Sequence, residues 1–174
     1  MRLFIALEIS GELKNEILKL QENLKKHKKA NYTREENLHI TLAFLGEVPL
    51  EKFADVCAAM NETAAEFNSF TAKNGGLGSF NTKDNQILYC GIQSKELEIL
   101  AKKLRENLKR HNINFDCKRF LPHITIARKI DLSGTDLKDF CKEIYFACDK
   151  IILFESKREG GKLKYIPKKI SRLK

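Results

Sequence analysis

Much that would announce a chemistry is missing from this sequence. No apolar run approaches the ~18 residues needed to span a membrane. The apolar stretch from Leu3 to Leu7 stops at Glu8, too short for a leader's apolar region followed by a cleavage site. A cytoplasmic protein with no membrane attachment is therefore expected. The five cysteines, Cys57, Cys90, Cys117, Cys141 and Cys148, are odd in number and form neither a C-x-x-C pair nor a zinc-type spacing. Most lie in apolar segments and read as reduced core residues. There is no glycine-rich phosphate loop of the P-loop kind, no paired nucleophile motif and no carboxylate-rich cluster to hold a metal. Neither a cofactor nor a metal is expected.

What is present is length, positive charge and one pattern written twice. At 174 residues the chain is expected to form one domain, with two lobes and a real core. Its charged share of 32% comes without a disordered composition. A formal net charge of +9 favours anionic partners such as nucleic acid, nucleotides or a membrane surface. A solvated lysine-rich surface explains the charge equally well.

The repeated pattern is Leu38-His39-Ile40-Thr41-Leu42-Ala43-Phe44 and Pro122-His123-Ile124-Thr125-Ile126-Ala127-Arg128. Each reads as a strand, with β-branched and aromatic residues and alternating polarity. Strand side chains alternate between faces. His39 and Thr41 therefore share one face and Leu38, Ile40 and Leu42 the other. His123 and Thr125 pair in the same way, backed by Ile124 and Ile126.

Taken in order, Arg2 to Ile9 reads as a buried strand. Ser10 is placed to cap a helix whose apolar face is Leu13, Ile17, Leu20 and Leu24. After the first His-x-Thr strand, a helix is expected over 50–67, and Gly75 to Gly78 reads as a turn. Gln86 to Ile92 is the next strand. Ser94 then caps a helix faced by Leu97, Leu100, Leu104 and Leu108. At the 84-residue offset between His39 and His123, Ser10 falls on Ser94, Leu13 on Leu97, Leu20 on Leu104, and Glu22-Asn23-Leu24-Lys25 on Glu106-Asn107-Leu108-Lys109. Chance agreement of two amphipathic helices explains a few matches, but not one ungapped register running through both His-x-Thr strands. After Arg128 a short helix is expected over 135–142, a strand over 144–154 and a last strand over 162–170. The fold class that follows is α+β: a bilobal internal duplication of a β-α-β-α-β unit, pseudo-repeats about 1–80 and 85–170. Mainly antiparallel sheets would surround a central cleft faced by both His-x-Thr strands.

Two histidines flanking a phosphate could divide an in-line displacement, one taking a proton from the attacking water and the other protonating the leaving oxygen. The threonines could donate to non-bridging oxygens. One His-x-Thr is a trivial match, but two in register with duplicated helices are a specific signal.

Further segments join these strands: Met1-Arg2-Leu3-Phe4-Ile5-Ala6-Leu7, Glu36-Asn37 before Leu38, Gly76-Leu77-Gly78-Ser79-Phe80, Phe120-Leu121 before Pro122, and Leu153-Phe154-Glu155-Ser156. With them the sequence resembles the two-histidine phosphoesterase superfamily over nearly its whole length. Within it, the chain is most similar to the bacterial RNA 2′,3′-cyclic phosphodiesterases, also called 2′-5′ RNA ligases. The resemblance implies a metal-independent enzyme that opens a 2′,3′-cyclic phosphate at an RNA end, tRNA-like or oligonucleotide, to a 2′-phosphate. It also implies possible 2′-5′ joining of RNA ends. On this chain it implies His39 and His123 as the acid–base pair, with His123 activating water and His39 protonating the 3′ oxygen. The sequence itself does not order them. Thr41 and Thr125 would hold phosphate oxygens and Arg128 would clamp the phosphate. Phe44 is the aromatic of the motif. Plain alternation puts Arg128 on the Ile124 and Ile126 side, so it needs a bulge, a strand end or a long reach. The same parity reads Phe44 as core packing.

Two other readings keep the fold: action on a small cyclic nucleotide, and a non-catalytic RNA- or nucleotide-binding module. A metalloenzyme built on the two histidines lacks a third ligand at a suggestive spacing. His27 and His111, among lysines at helix ends, read as surface residues. Tyr32, Phe120 and Tyr165 are candidates for base stacking, with packing the more ordinary role. The lysines and arginine of 162–174 read either as an RNA-tracking tail or as a solvated strand. Nothing demands more than a monomer.

Overall fold

A computed structural model describes residues 1–82, 85–138, 140 and 142–174. The strands are β1 (Arg2–Glu8), β2 (Asn31–Tyr32), β3 (His39–Glu47), β4 (Phe70–Asn81), β5 (Gln86–Gln93), β6 (His123–Ile130), β7 (Tyr145–Cys148), β8 (Lys150–Glu159) and β9 (Lys162–Arg172). The helices are α1 (Gly11–Lys25), α2 (Phe53–Glu66) and α3 (Lys95–Arg110). Every strand pairing is antiparallel, and the order is β7-β4-β5-β6-β3-β1-β8-β9 with β2 beside β6. The result is one curled sheet of α+β class, a half-barrel with two lobes meeting where β3 and β6 touch.

That meeting is slight: Ile40 opposite Ile124 is the registered pair between β3 and β6. Each lobe borrows a strand from the other half of the chain. β4, which follows the first His-x-Thr strand, pairs with β5. β8, which follows the second, pairs with β1.

The helices cover one face of this sheet. Leu3, Ile5, Leu7, Ile40, Leu42, Ile124 and Ile126 form one buried cluster with Leu13 and Ile17 of α1, Met60 of α2, and Leu97, Leu100, Leu104 and Leu108 of α3. Burying such a side chain contributes roughly 1.5–3 kcal/mol, so the period-two and period-four patterns together fix which sheet face becomes the cleft. Leu20 is only partly buried, and Gln21 takes the core place beside it, donating to the carbonyls of Thr33 (2.8 Å) and Ile126 (2.9 Å). Ser94 caps α3 by accepting from Leu97 N, whereas Ser10 makes no side-chain cap bond.

Several expectations are corrected. Gly75 to Gly78 is not a turn but part of β4, which runs through a bulge between Asn74 and Leu77. Pairing along β5 holds glycines that local preference alone would place in a loop. The helix expected over 135–142 is absent among the described residues of that span, which are irregular; Asp139 and Cys141 lie outside the described residues. The strand expected over 144–154 is broken at Asp149, with β7 on one edge of the sheet and β8 beside β1. Cys90 and Cys148 are buried, Cys57 is half-buried and Cys117 is exposed, on the polar loop after α3. Cys141 lies outside the described residues. His27 is exposed, but His111 is partly covered and faces Glu62 Oε1 at 3.0 Å. No described helix is long and apolar enough to cross a membrane.

Candidate active site

The uncovered face of the sheet carries a cleft of about 480 Å³ where the lobes meet. His39 and Thr41 enter it from β3, and His123 and Thr125 from β6. Period two explains this part, because Ile40, Leu42, Ile124 and Ile126 are wholly buried behind them.

Arg128 and Phe44 also line the cleft, which plain alternation does not allow. In β6, Tyr89 pairs with Thr125 and Leu88 with Ala127, leaving Ile126 as an extra residue. In β3, Ala6 pairs with Thr41 and Ile5 with Ala43, leaving Leu42 extra. Each bulge buries two successive residues and reverses the parity beyond it. The core role read for Phe44 is therefore corrected: it is 36% exposed, with the Arg2 guanidinium 5.3 Å from its ring centroid. The sequence carries a signal for this, since Leu42-Ala43 and Ile126-Ala127 break the alternation at equivalent places.

Arg2, Phe4, Ser156, Arg158, Leu163 and Tyr165 complete the cleft. Local pattern assigns most of these no role, because β1 and the β8–β9 hairpin reach the site through pairings about 150 residues apart along the chain. Three arginines and no carboxylate line it, so a bound anion meets attraction from several sides.

Both imidazoles are oriented by backbone. His39 Nδ1 donates to the Asn37 carbonyl (2.7 Å) and His123 Nδ1 to the Leu121 carbonyl (2.6 Å). A carbonyl only accepts, so Nδ1 carries the hydrogen and Nε2 is the titrating acceptor of each neutral ring. His39 Nε2 lies 2.9 Å from Thr41 Oγ1. His123 Nε2 has no hydrogen-bond partner among the described residues. Burial is the main cause pushing His39 down to about 4, opposed by the Asn37 bond and reinforced by the charges of His123 and Arg128. Burial also lowers His123, opposed by the Leu121 bond and helped by Arg128. A charge on His123 thus disfavours the cation of His39.

Aromatic rings wall both histidines. His39 sits against Phe4 (ring centroids 5.0 Å apart) and edge-on to Tyr165 (5.2 Å). His123 meets Phe80 (5.1 Å) and Tyr89 (5.5 Å). Tyr165 thus lies at the site, whereas Tyr32 bonds the Lys28 carbonyl at 3.0 Å and Phe120 sits 5.4 Å from the Arg105 guanidinium, away from the cleft. Among the described residues, no group of three or more His, Cys, Asp and Glu side chains is placed to hold a metal ion.

The model of the LigT like Phosphoesterase family matches residues 7–89 and 92–165. The chain belongs to this family. Among relatives of this LigT-like phosphoesterase, the RNA 2′,3′-cyclic phosphodiesterase of Thermotoga maritima is 34% identical over 131 residues, 74% of this chain and 70% of that protein. The Methanocaldococcus jannaschii protein of the same name is 34% identical over 74% of this chain and 71% of its own length. Escherichia coli LigT without ligand superposes with a TM-score of 0.79 at 26% identity, covering 99% of this chain and 96% of that one. TT0787 of Thermus thermophilus has the same fold, with a TM-score of 0.87 at 23% identity over 99% of this chain and 98% of that one.

Proposed function

We propose that this LigT-like phosphoesterase is an RNA 2′,3′-cyclic phosphodiesterase that opens a terminal cyclic phosphate to a 2′-phosphate by two-histidine acid–base catalysis, without a metal. The observation that carries this reading is the pair of Nε2 atoms, each set by a backbone carbonyl, in one arginine-lined cleft. The relatives named above support the substrate class, and E. coli LigT has been crystallised with 3′-AMP.

In this mechanism the cyclic phosphate lies between the histidines. Thr41 and Thr125 donate to its non-bridging oxygens and the Arg128 guanidinium pairs with them. His123 Nε2 takes a proton from water as the water oxygen attacks phosphorus. The P–O3′ bond breaks and His39 gives its Nε2 proton to O3′. The order follows the family resemblance, and exposure supports it: His123 is the open ring, where water arrives, and His39 is enclosed by Phe4 and Tyr165. Burial works against a protonated His39 before substrate binds. A bound phosphate monoanion favours the imidazolium and reverses that. The same site could join a 5′-hydroxyl end through a 2′-5′ linkage. The chain acts as one two-lobed domain of pseudo-repeats about 1–80 and 85–170, as a cytoplasmic monomer.

The test is a short RNA ending in a 2′,3′-cyclic phosphate, incubated in chelator with the parent protein, His39→Ala and His123→Ala. Conversion by the parent alone is the expected result. Activity lost to chelator and restored by a metal would overturn the metal-free mechanism. Turnover of a free cyclic nucleotide but not of the RNA would move the substrate to that smaller class.

A further inference from the structure

The Gly76–Phe80 segment takes no part in the acid–base steps, yet it lies against His123. Strand register shows what it corresponds to in the other lobe. Gly78 pairs with Tyr89 and Phe80 with Ile87. Ile152 pairs with Ala6 and Phe154 with Phe4. Tyr89 and Ala6 are equivalent, because they pair with Thr125 and Thr41. Phe80 therefore holds in its lobe the place Phe154 holds in the other.

The two places are finished differently. Phe154 and Phe4 are buried, 5.3 Å apart, and Tyr165 of β9 covers Phe4 at 4.7 Å while standing edge-on to His39. In the other lobe β7 pairs only with Phe70–Lys73 of β4. Among the described residues no strand lies outside residues 74–81 as β9 lies outside β8. Phe80 and Tyr89 stack on each other (centroids 4.3 Å apart, planes 26° apart) and both approach His123. They stay half-buried and pack against neither buried apolar cluster. Gly78 makes the stack possible, since a Cβ there would lie 2.5 Å from Tyr89 Oη.

An uncovered aromatic stack next to a histidine is a surface on which a nucleobase stacks well. We infer that Phe80 and Tyr89 form a second nucleoside site, receiving the base of a nucleoside whose 5′-hydroxyl enters in place of the attacking water. The base takes the position that Tyr165 fills in the other lobe. The inference rests on the reading of the cleft as a cyclic phosphodiesterase site with His123 as base. In the step, O5′ bonds to phosphorus as the P–O3′ bond breaks. His123 Nε2 accepts the proton from O5′, and His39 gives its Nε2 proton to O3′. One phosphodiester replaces another, so no co-reactant is consumed. The product carries a 2′-5′ linkage and a free 3′-hydroxyl. Water and the nucleoside compete for the same in-line position.

The test uses the full chain, an oligoribonucleotide ending in a 2′,3′-cyclic phosphate, and adenosine as the acceptor. The readout is the ratio of adenosine-joined product to 2′-phosphate. Both products need both histidines, so general damage to either lowers both and leaves the ratio alone. In the parent the ratio should rise and saturate with adenosine. Phe80→Ala should lower it about tenfold, in line with the stacking of one base, and Phe80→Trp should keep it. Phe80→Leu, which keeps apolar volume without an aromatic face, should behave as the alanine variant does if folding limits the latter. An unchanged ratio in the alanine and leucine variants overturns the inference, as does a parent that hydrolyses but never transfers to adenosine. A parent that does neither overturns the underlying reading as well.

Discussion

His39 and His123 occupy equivalent places in the two lobes, but one is closed in and the other is open. Around His39, strand β9 supplies Tyr165 as a cover and Thr41 occupies Nε2 at 2.9 Å. Around His123 the rings stand to one side and, among the described residues, none bonds Nε2. Burial depresses both, most clearly His39, to about 4. Two strands of equivalent register thus sit in different environments, and β9 makes the difference. The lesson is that symmetric motifs need not do symmetric chemistry, because the second neighbour of a strand decides the solvation of its side chains.

The largest test of this comparison exchanges the leaving group. On RNA, His39→Ala and His123→Ala should each lose about 10²–10⁴-fold in kcat, the usual contribution of a positioned acid or base. On a phosphodiester with a p-nitrophenolate leaving group, which needs no proton, His39→Ala should recover most of its loss and His123→Ala none. Recovery by the other variant would invert the roles. Next comes Arg128, the equivalent of Phe44. Arg128→Lys should raise KM for RNA about tenfold by losing bidentate geometry. Phe44→Ala should have a smaller effect in the same kinetic assay.

The closure itself can be removed. Tyr165→Ala admits water to His39 and should raise its pKa toward 6.5 in an NMR titration, while His123 stays nearly where it is. In the parent, both free-ring values lie below 6.5, so kcat/KM should peak on the acid side of pH 6.5, with both limbs below it. A peak above pH 7 would contradict the closed setting of His39. For His39, pushed from 6.5 down to about 4, the linked effect on stability is about 3 kcal/mol. His39 is depressed in the folded state, so the unfolded chain binds more protons between the folded and unfolded values. Stability is therefore full above pH 6.5 and falls as pH drops towards 4. Denaturant melts of His39→Gln should lose most of that slope. The smallest effect is expected from Gly78→Ala, about 1 kcal/mol or less, because the clash falls on the movable end of Tyr89. Its signature would be displaced Tyr89 ring resonances, with His39 unaffected.

Sequence pattern reached some of this architecture and stopped at identifiable points. Faces of β3, β6, α1 and α3 were legible because local period decides them: Ile40, Ile124, Leu13 and Leu97 are all wholly buried. So was the sharing of one face by each His-Thr pair. The 84-residue offset holds in detail, since the bulge at Leu42 corresponds to that at Ile126 and a second at Leu45 to one at Lys129. Parity beyond the bulges was not legible from strict alternation, and Phe44 was placed on the wrong face for that reason. Arg2, Arg158 and Leu163 were out of reach for another reason. Nothing local in 150–165 states that β8 pairs with β1 rather than with a nearer strand. Gly75 to Gly78 went wrong because glycine's turn preference is weak beside the pairing of a whole strand.

The pairing of β1 with β8 has a consequence during synthesis. β1 leaves the ribosome well before β8: β3 soon covers one of its edges, but the partner of its other edge begins only at Lys150. At about 5–20 residues per second, that edge waits on the order of ten seconds. For that time a nearly all-apolar strand, Leu3 to Leu7, offers unpaired backbone groups to any neighbouring chain. The nascent first half is thus the aggregation-prone form of this protein, and shielding of that edge by a chaperone should matter more for its yield than the stability of the finished fold.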